Sequence, residues 1–184
     1  MKLRQKIPFW MQVILLFAIL VAPGLLRFAF QRNDWRTYTD QRYGYNLEYP
    51  AHLRKRLSYG GFPGSREIHL SLAWPAGIEI THQISVGEVG MESPTVEEVA
   101  AFAENIIKGR EGRIESDLET IVVNDQVALT RTYIYAGRRC KEEYIAEGGR
   151  GFILSFTAAP RFYDTSIQDF EHVVASFRTL NGEP

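Results

Sequence analysis

QVALTRTYIYAGRRCKEEYIAEGGRGFILSFTA, residues Gln126 to Ala158, is three alternating runs joined by short glycine-bearing turns. The runs are Gln126–Ala136, Arg139–Glu147 and Arg150–Ala158. Gly137-Arg138 and Gly148-Gly149 have the length and composition of two-residue hairpin turns. A fourth run, Ile114–Val123, stands just upstream, separated by Asn124-Asp125. Together they predict a four-stranded antiparallel meander.

The turn positions also predict which side chains meet. With Gly137-Arg138 as the turn, Tyr135 is expected opposite Cys140, Tyr133 opposite Glu142, and Arg131 opposite Tyr144. Neighbours on one face of a strand pair can touch, diagonals included. Arg131, Tyr133, Glu142 and Tyr144 therefore form one expected cluster, with Ser155 beside Glu142. Ile134, Ile145, Phe152, Leu154 and Phe156 fall on the opposite face and read as core. The simplest account of the polar face is an ion pair packed with tyrosines. The functional account is a groove for a peptide or small ligand, with Arg131 seeking an anion.

Upstream, Tyr43, Tyr45, Leu47 and Tyr49 share one face of a strand that Pro50 stops. Residues 60–65 are rich in Gly and Pro and read as a loop. Ile68, Leu70 and Leu72 mark a further strand, and Ile78, Ile80, Ile84 and Val86 another, with Pro75-Ala76-Gly77 as their hairpin connection. The period then changes. Val96, Val99, Ala100, Phe102, Ala103, Ile106 and Ile107 recur at helical spacing between Pro94 and Gly109, and Thr95-Val-Glu-Glu98 has the form of a capping box. A last helix is expected from Thr165-Ser-Ile-Gln168, its buried stripe being Ile167, Phe170, Val173, Val174 and Phe177. Strands, helix, strands, helix lacks the strict alternation of a parallel sheet. The fold class is α+β, with helices on an antiparallel sheet.

The N-terminus differs. Lys2, Arg4 and Lys6 precede an apolar stretch from Ile7 to Phe30. A helix needs about 20 such residues to span a bilayer, and this run exceeds the apolar region of a cleaved signal peptide. Residues 1–30 are expected to be a transmembrane signal anchor, 31–42 a linker and 43–180 the folded domain. The basic tail places the N-terminus in the cytoplasm and the domain on the extracytoplasmic side.

Composition excludes several classes. Among 184 residues the formal net charge is −1, so no basic field points to nucleic acid. The single cysteine, Cys140, can form neither an intrachain disulfide nor a thiolate metal site. His52, His69, His82 and His172 show no metal-ligand spacing, and no hydrolase, phosphate-loop or dinucleotide motif occurs. His82 shares parity with Ile80 and Ile84 and is expected to point into the core. No catalytic residue, cofactor or metal is assigned. Two basic runs, Arg54-Lys55-Arg56 and Arg138-Arg139 with Lys141, read as solvated faces, or as contacts to anionic headgroups if the domain folds back on the bilayer.

The strand Tyr43-Gly-Tyr-Asn-Leu-Glu-Tyr-Pro50, the segment Thr95-Val-Glu-Glu-Val, the hairpin Val127–Tyr144, and Gly151-Phe-Ile-Leu-Ser-Phe-Thr157 followed by a helix ending Ala175-Ser176-Phe177 together carry a resemblance to the PsbP-like family. It covers Tyr43 to Leu180. It implies an α/β/α sandwich with a central antiparallel sheet. It also implies a protein-binding role, since the family includes extrinsic photosystem II subunits, Ran-binding nuclear transport factors and membrane-tethered bacterial members. The expected function is a membrane-anchored, extracytoplasmic binding or scaffold module without catalysis, whose partner is another membrane or extracytoplasmic protein. The alternative is a ligand sensor or enzyme with a groove around Arg131 and Glu142.

Overall fold

The computed structural model describes residues 34–57, 66–74 and 81–180. The expected transmembrane segment, the 60–65 loop and the Pro75-Ala76-Gly77 turn lie outside these residues, as do Ile78 and Ile80. Among the described residues no helix is long and apolar enough to cross a membrane.

The meander is present as β8 (Gln126–Tyr135), β9 (Arg138–Glu147) and β10 (Arg150–Ala158), with β7 (Glu119–Val123) before them. The run read as one strand from Ile114 is broken. A short β6 (Arg113–Ile114) and β7 both pair with β8. Between them the Ser116 hydroxyl accepts from Thr132 N, while Glu115 N and Ser116 N both donate to Thr132 O, so a side chain takes over part of the ladder. Both central residues of each tight turn have positive φ: Asn124 and Asp125, Ala136 and Gly137, Gly148 and Gly149. These are the mirror-image turns that match strand twist.

The second turn is Ala136-Gly137, one residue earlier than Gly137-Arg138. Arg138 is thereby a strand residue, paired with Tyr135, and its guanidinium donates to Thr81 O. The register moves by two: Arg131 faces Glu142, Tyr133 faces Cys140, and Leu129 faces Tyr144. A slip of one would turn every side chain over; a slip of two leaves each on its face.

The main sheet has the order β3 (Arg54–Leu57), β4 (Arg66–Trp74), β5 (His82–Val89), β10, β9, β8, β6, and every pairing in it is antiparallel. Helix α1 (Val96–Gly109) covers one face. Thr95 and Glu98 close a complete capping box at its start. Val99, Ala100 and Ala103 pack on Val89, Leu129, Tyr144 and Ile153. The other face carries the larger core, in which Leu70, Leu72, Ile84, Phe152, Leu154 and Phe156 meet Phe170, Val173 and Phe177 of the second helix region.

That helix, α2 (Pro160–Ser176), starts before the expected Thr165. Proline at the first helical position needs no N–H and already has helical φ. Tyr163 is consequently buried, and the Thr165 hydroxyl donates back to Phe162 O instead of capping.

A three-stranded sheet, β1 (Trp35–Asp40), β2 (Tyr45–Pro50) and β11 (Arg178–Thr179), completes the α2 layer. The stretch read as a linker over 31–42 therefore contains a strand. Its inward residues are Tyr38 and Asp40. The Asp40 carboxylate accepts from the Tyr38 hydroxyl at 2.7 Å and from the amides of Arg42 and Tyr43 at 3.0 and 3.1 Å, which closes the β1–β2 turn.

Candidate functional site

Four residues from β8 and β9 come together beneath α1. Arg131 and Tyr133 alternate along β8, and Glu142 and Tyr144 along β9. Glu142 is buried and sits at the centre. It accepts from the Tyr133 hydroxyl at 3.1 Å, from the Tyr144 hydroxyl at 3.1 Å, and from Ser155 of β10 at 2.7 Å. Buried carboxylates persist where such donors replace water.

Arg131 does not point to an open anion site. It is 7 % exposed, and its Nη1 donates at 2.6 Å to Glu104 of α1. Glu104 also pairs with Lys108 one turn on. The hydrogen bonds from Lys108 and Arg131 hold the Glu104 carboxyl below its usual range. The pair thus fastens the helix to the sheet. Tyr133 and Glu142 border a cavity of about 40 Å³ under Ile106, Ile107 and Arg110. That is room for a few waters, against roughly 300 Å³ or more for a small-molecule site. Beside it, burial pushes the Cys140 thiol up, and Thr157 donates to its sulfur. This is an inert small hydrophobe rather than a reactive thiolate.

The basic runs are differently placed. Arg54, Lys55 and Arg56 form β3, an exposed edge strand whose charges disfavour strand addition. Lys55 lies over the Tyr38 ring. Arg139 sits over the Tyr163 ring and pairs with Glu115, and Lys141 pairs with Glu143.

A second cluster was not legible as a motif. His52 lies in the turn after β2, His82 opens β5, and Asp169 is in the middle of α2. His52 Nε2 and His82 Nε2 approach the same oxygen, Asp169 Oδ2, at 3.4 and 3.5 Å. His82 is inward, as its parity with Ile84 requires, and its ring lies against Phe156. Burial raises the Asp169 pKa, but the two imidazoles of His52 and His82 beside the carboxyl outweigh it and hold it at about 2. The parity of His82 was the only sequence signal, and it pointed to the core.

The architecture has counterparts among solved structures. No family model and no curated protein sequence matches the chain. The cyanobacterial PsbP protein (CyanoP) of Synechocystis sp. PCC 6803 matches with a TM-score of 0.59 at 19% identity, over 79% of this chain and 92% of that one. LpqN of Mycobacterium tuberculosis, involved in cell envelope biogenesis, matches at 0.51 and 14%, over 82% and 95%. The Ran-binding protein Mog1p of Saccharomyces cerevisiae matches at 0.50 and 8%, over 80% and 96%. These likenesses establish a PsbP-like/Mog1 fold.

Proposed function

We propose that this chain is a membrane-anchored binding or scaffold module, held by residues 1–30 with its domain on the extracytoplasmic side. The observation that carries the binding reading is the closure of the polar sheet face. Glu142 is occupied by three hydroxyls, Arg131 by Glu104, and the space beside them admits only a few waters. In this reading Arg131, Tyr133, Glu142 and Tyr144 set the position of α1, and partners dock on the outer surface. Val122 and Val127, paired across β7 and β8 and 72 % and 59 % exposed, supply an apolar contact there. The partner is a protein, as Mog1p is a Ran-binding protein on a related fold.

The test is affinity capture of the full chain from cross-linked native membranes, with mass spectrometry, beside a Val122→Asp/Val127→Asp double variant. A protein captured by the wild type and lost from the variant is expected. An identical captured set would overturn the assigned surface. A topology reporter fused after Pro184 tests the placement, and reporter activity in the cytoplasm would overturn it.

A further inference from the structure

Two imidazoles and a carboxylate converge where the end of β2, the start of β5 and the middle of α2 meet. We propose that His52, His82 and Asp169 form a binding site for a divalent transition-metal ion, zinc being the best fit. Their ligand atoms all lie within 4.8 Å of one another.

The spacing is the first argument. A charge-assisted N–H···O bond is about 2.7–2.9 Å long. Both His–Asp approaches are longer, at 3.4 and 3.5 Å. Tetrahedral zinc binds histidine nitrogen and carboxylate oxygen at about 2.0–2.2 Å, which separates neighbouring ligand atoms by about 3.4 Å. The two measured edges match that polyhedron better than they match hydrogen bonds.

The state of His82 is the second, independent argument. Its side chain is 5% exposed, and among the described residues its buried Nε2 makes no hydrogen bond. A buried ring nitrogen without a hydrogen bond is costly. Its other nitrogen, Nδ1, is 3.3 Å from Thr81 Oγ1. With the proton on Nδ1, directed to that oxygen, Nε2 turns its lone pair toward Asp169. Metal-bound histidines are oriented by such an outer partner.

The donor set selects the ion. Imidazole nitrogens suit zinc, copper and nickel, whereas magnesium and calcium prefer sites built from oxygen alone. Two neutral imidazoles and one carboxylate leave a bound divalent ion with a net charge of +1. His52 and Asp169 are 10 % and 22 % exposed, so the site lies just beneath the surface. Three protein ligands leave a tetrahedral ion one position for water or for a donor from a partner.

The experiment uses the untagged full chain in detergent, stripped with chelator and titrated with zinc chloride by calorimetry. One equivalent per chain is expected, with at least tenfold weaker binding in His52→Asn and in Asp169→Asn. Because Asp169 packs in α2, the circular dichroism of each variant is compared with wild type. His52, at the end of a turn, is the variant that separates lost ligation from lost fold. Cobalt substitution is expected to give the intense visible bands of a tetrahedral ion. Absence of stoichiometric binding, affinity unchanged in folded His52→Asn, or the weak spectrum of octahedral cobalt would each overturn the assignment.

Discussion

Replacing Glu142 with alanine removes the acceptor for three hydroxyl groups at once, those of Tyr133, Tyr144 and Ser155. A hydrogen bond to a charged group contributes about 1.5–3 kcal/mol. Against that stands the cost of burying the carboxylate, several kcal/mol, which the substitution relieves. The net expectation is a loss of about 3 kcal/mol, or about 6–12 °C in Tm for a domain of this size. Glu142→Gln distinguishes hydrogen bonding from packing. Its amide oxygen can keep Tyr133 and Ser155, which share Oε1, while its NH₂ faces the Tyr144 hydroxyl, which must turn and accept. That variant should lose only about 1 kcal/mol, or about 2–4 °C. Urea and thermal denaturation followed by circular dichroism read both, and the urea slope should not change. A Glu142→Ala midpoint close to wild type, or a Glu142→Gln loss as large as that of alanine, would refute the idea that these acceptor bonds organise the face.

Two further perturbations probe the faces on either side. Gly151→Ala would place a Cβ 2.5 Å from Val99 Cγ2 and 2.6 Å from Val89 Cγ2, wedging α1 off the sheet; a loss of about 1–3 kcal/mol is expected, with faster amide exchange in α1 as the readout. Glu143 lies under the α2 layer, where burial raises its pKa above 4.5 despite the Lys141 ammonium. The unfolded chain releases that proton first, so stability falls as pH rises from 4.5 to the raised folded value and is flat above it. Glu143→Gln should remove this fall and add about 1 kcal/mol at pH 7 while changing little at pH 4, measured as urea midpoints at the two values.

Periodicity made most of this fold legible. Tyr45, Leu47 and Tyr49 are buried as their alternation requires, and so are Phe152, Leu154 and Phe156. The cluster around Glu142 survived a turn misplaced by one residue because the register then moved by two, which preserves the face. The misreadings have local causes. The Thr165-Ser-Ile-Gln168 pattern looked like a helix start, but Pro160 begins α2 earlier without a side-chain cap. Strand β1 was hidden because an inward residue is Asp40, whose carboxylate is satisfied by Tyr38 and two backbone amides. An apolar alternation count cannot see such a residue.

The His52–His82–Asp169 cluster was illegible for a related reason, and the two errors are linked. A helix starting at Thr165 leaves Asp169 in its first turn, where an acidic residue needs no explanation beyond the helix dipole. Starting at Pro160 moves Asp169 to the middle of the helix, one turn before buried Val173 and beside buried Phe170. Residues four apart share a helix face, so Asp169 must look toward the sheet. The strand end it meets is the start of β5, where parity had already turned His82 inward. A carboxylate on the flank of one apolar stripe and an imidazole at the end of another have to be matched where the two stripes pack. His52 then joins because Pro50 ends β2 and the turn that follows brings the chain back over that junction. Motif spacing carries no trace of this, since the three residues come from three elements. Chemistry in this fold is better sought among polar residues that share the parity of a core stripe and sit at its ends.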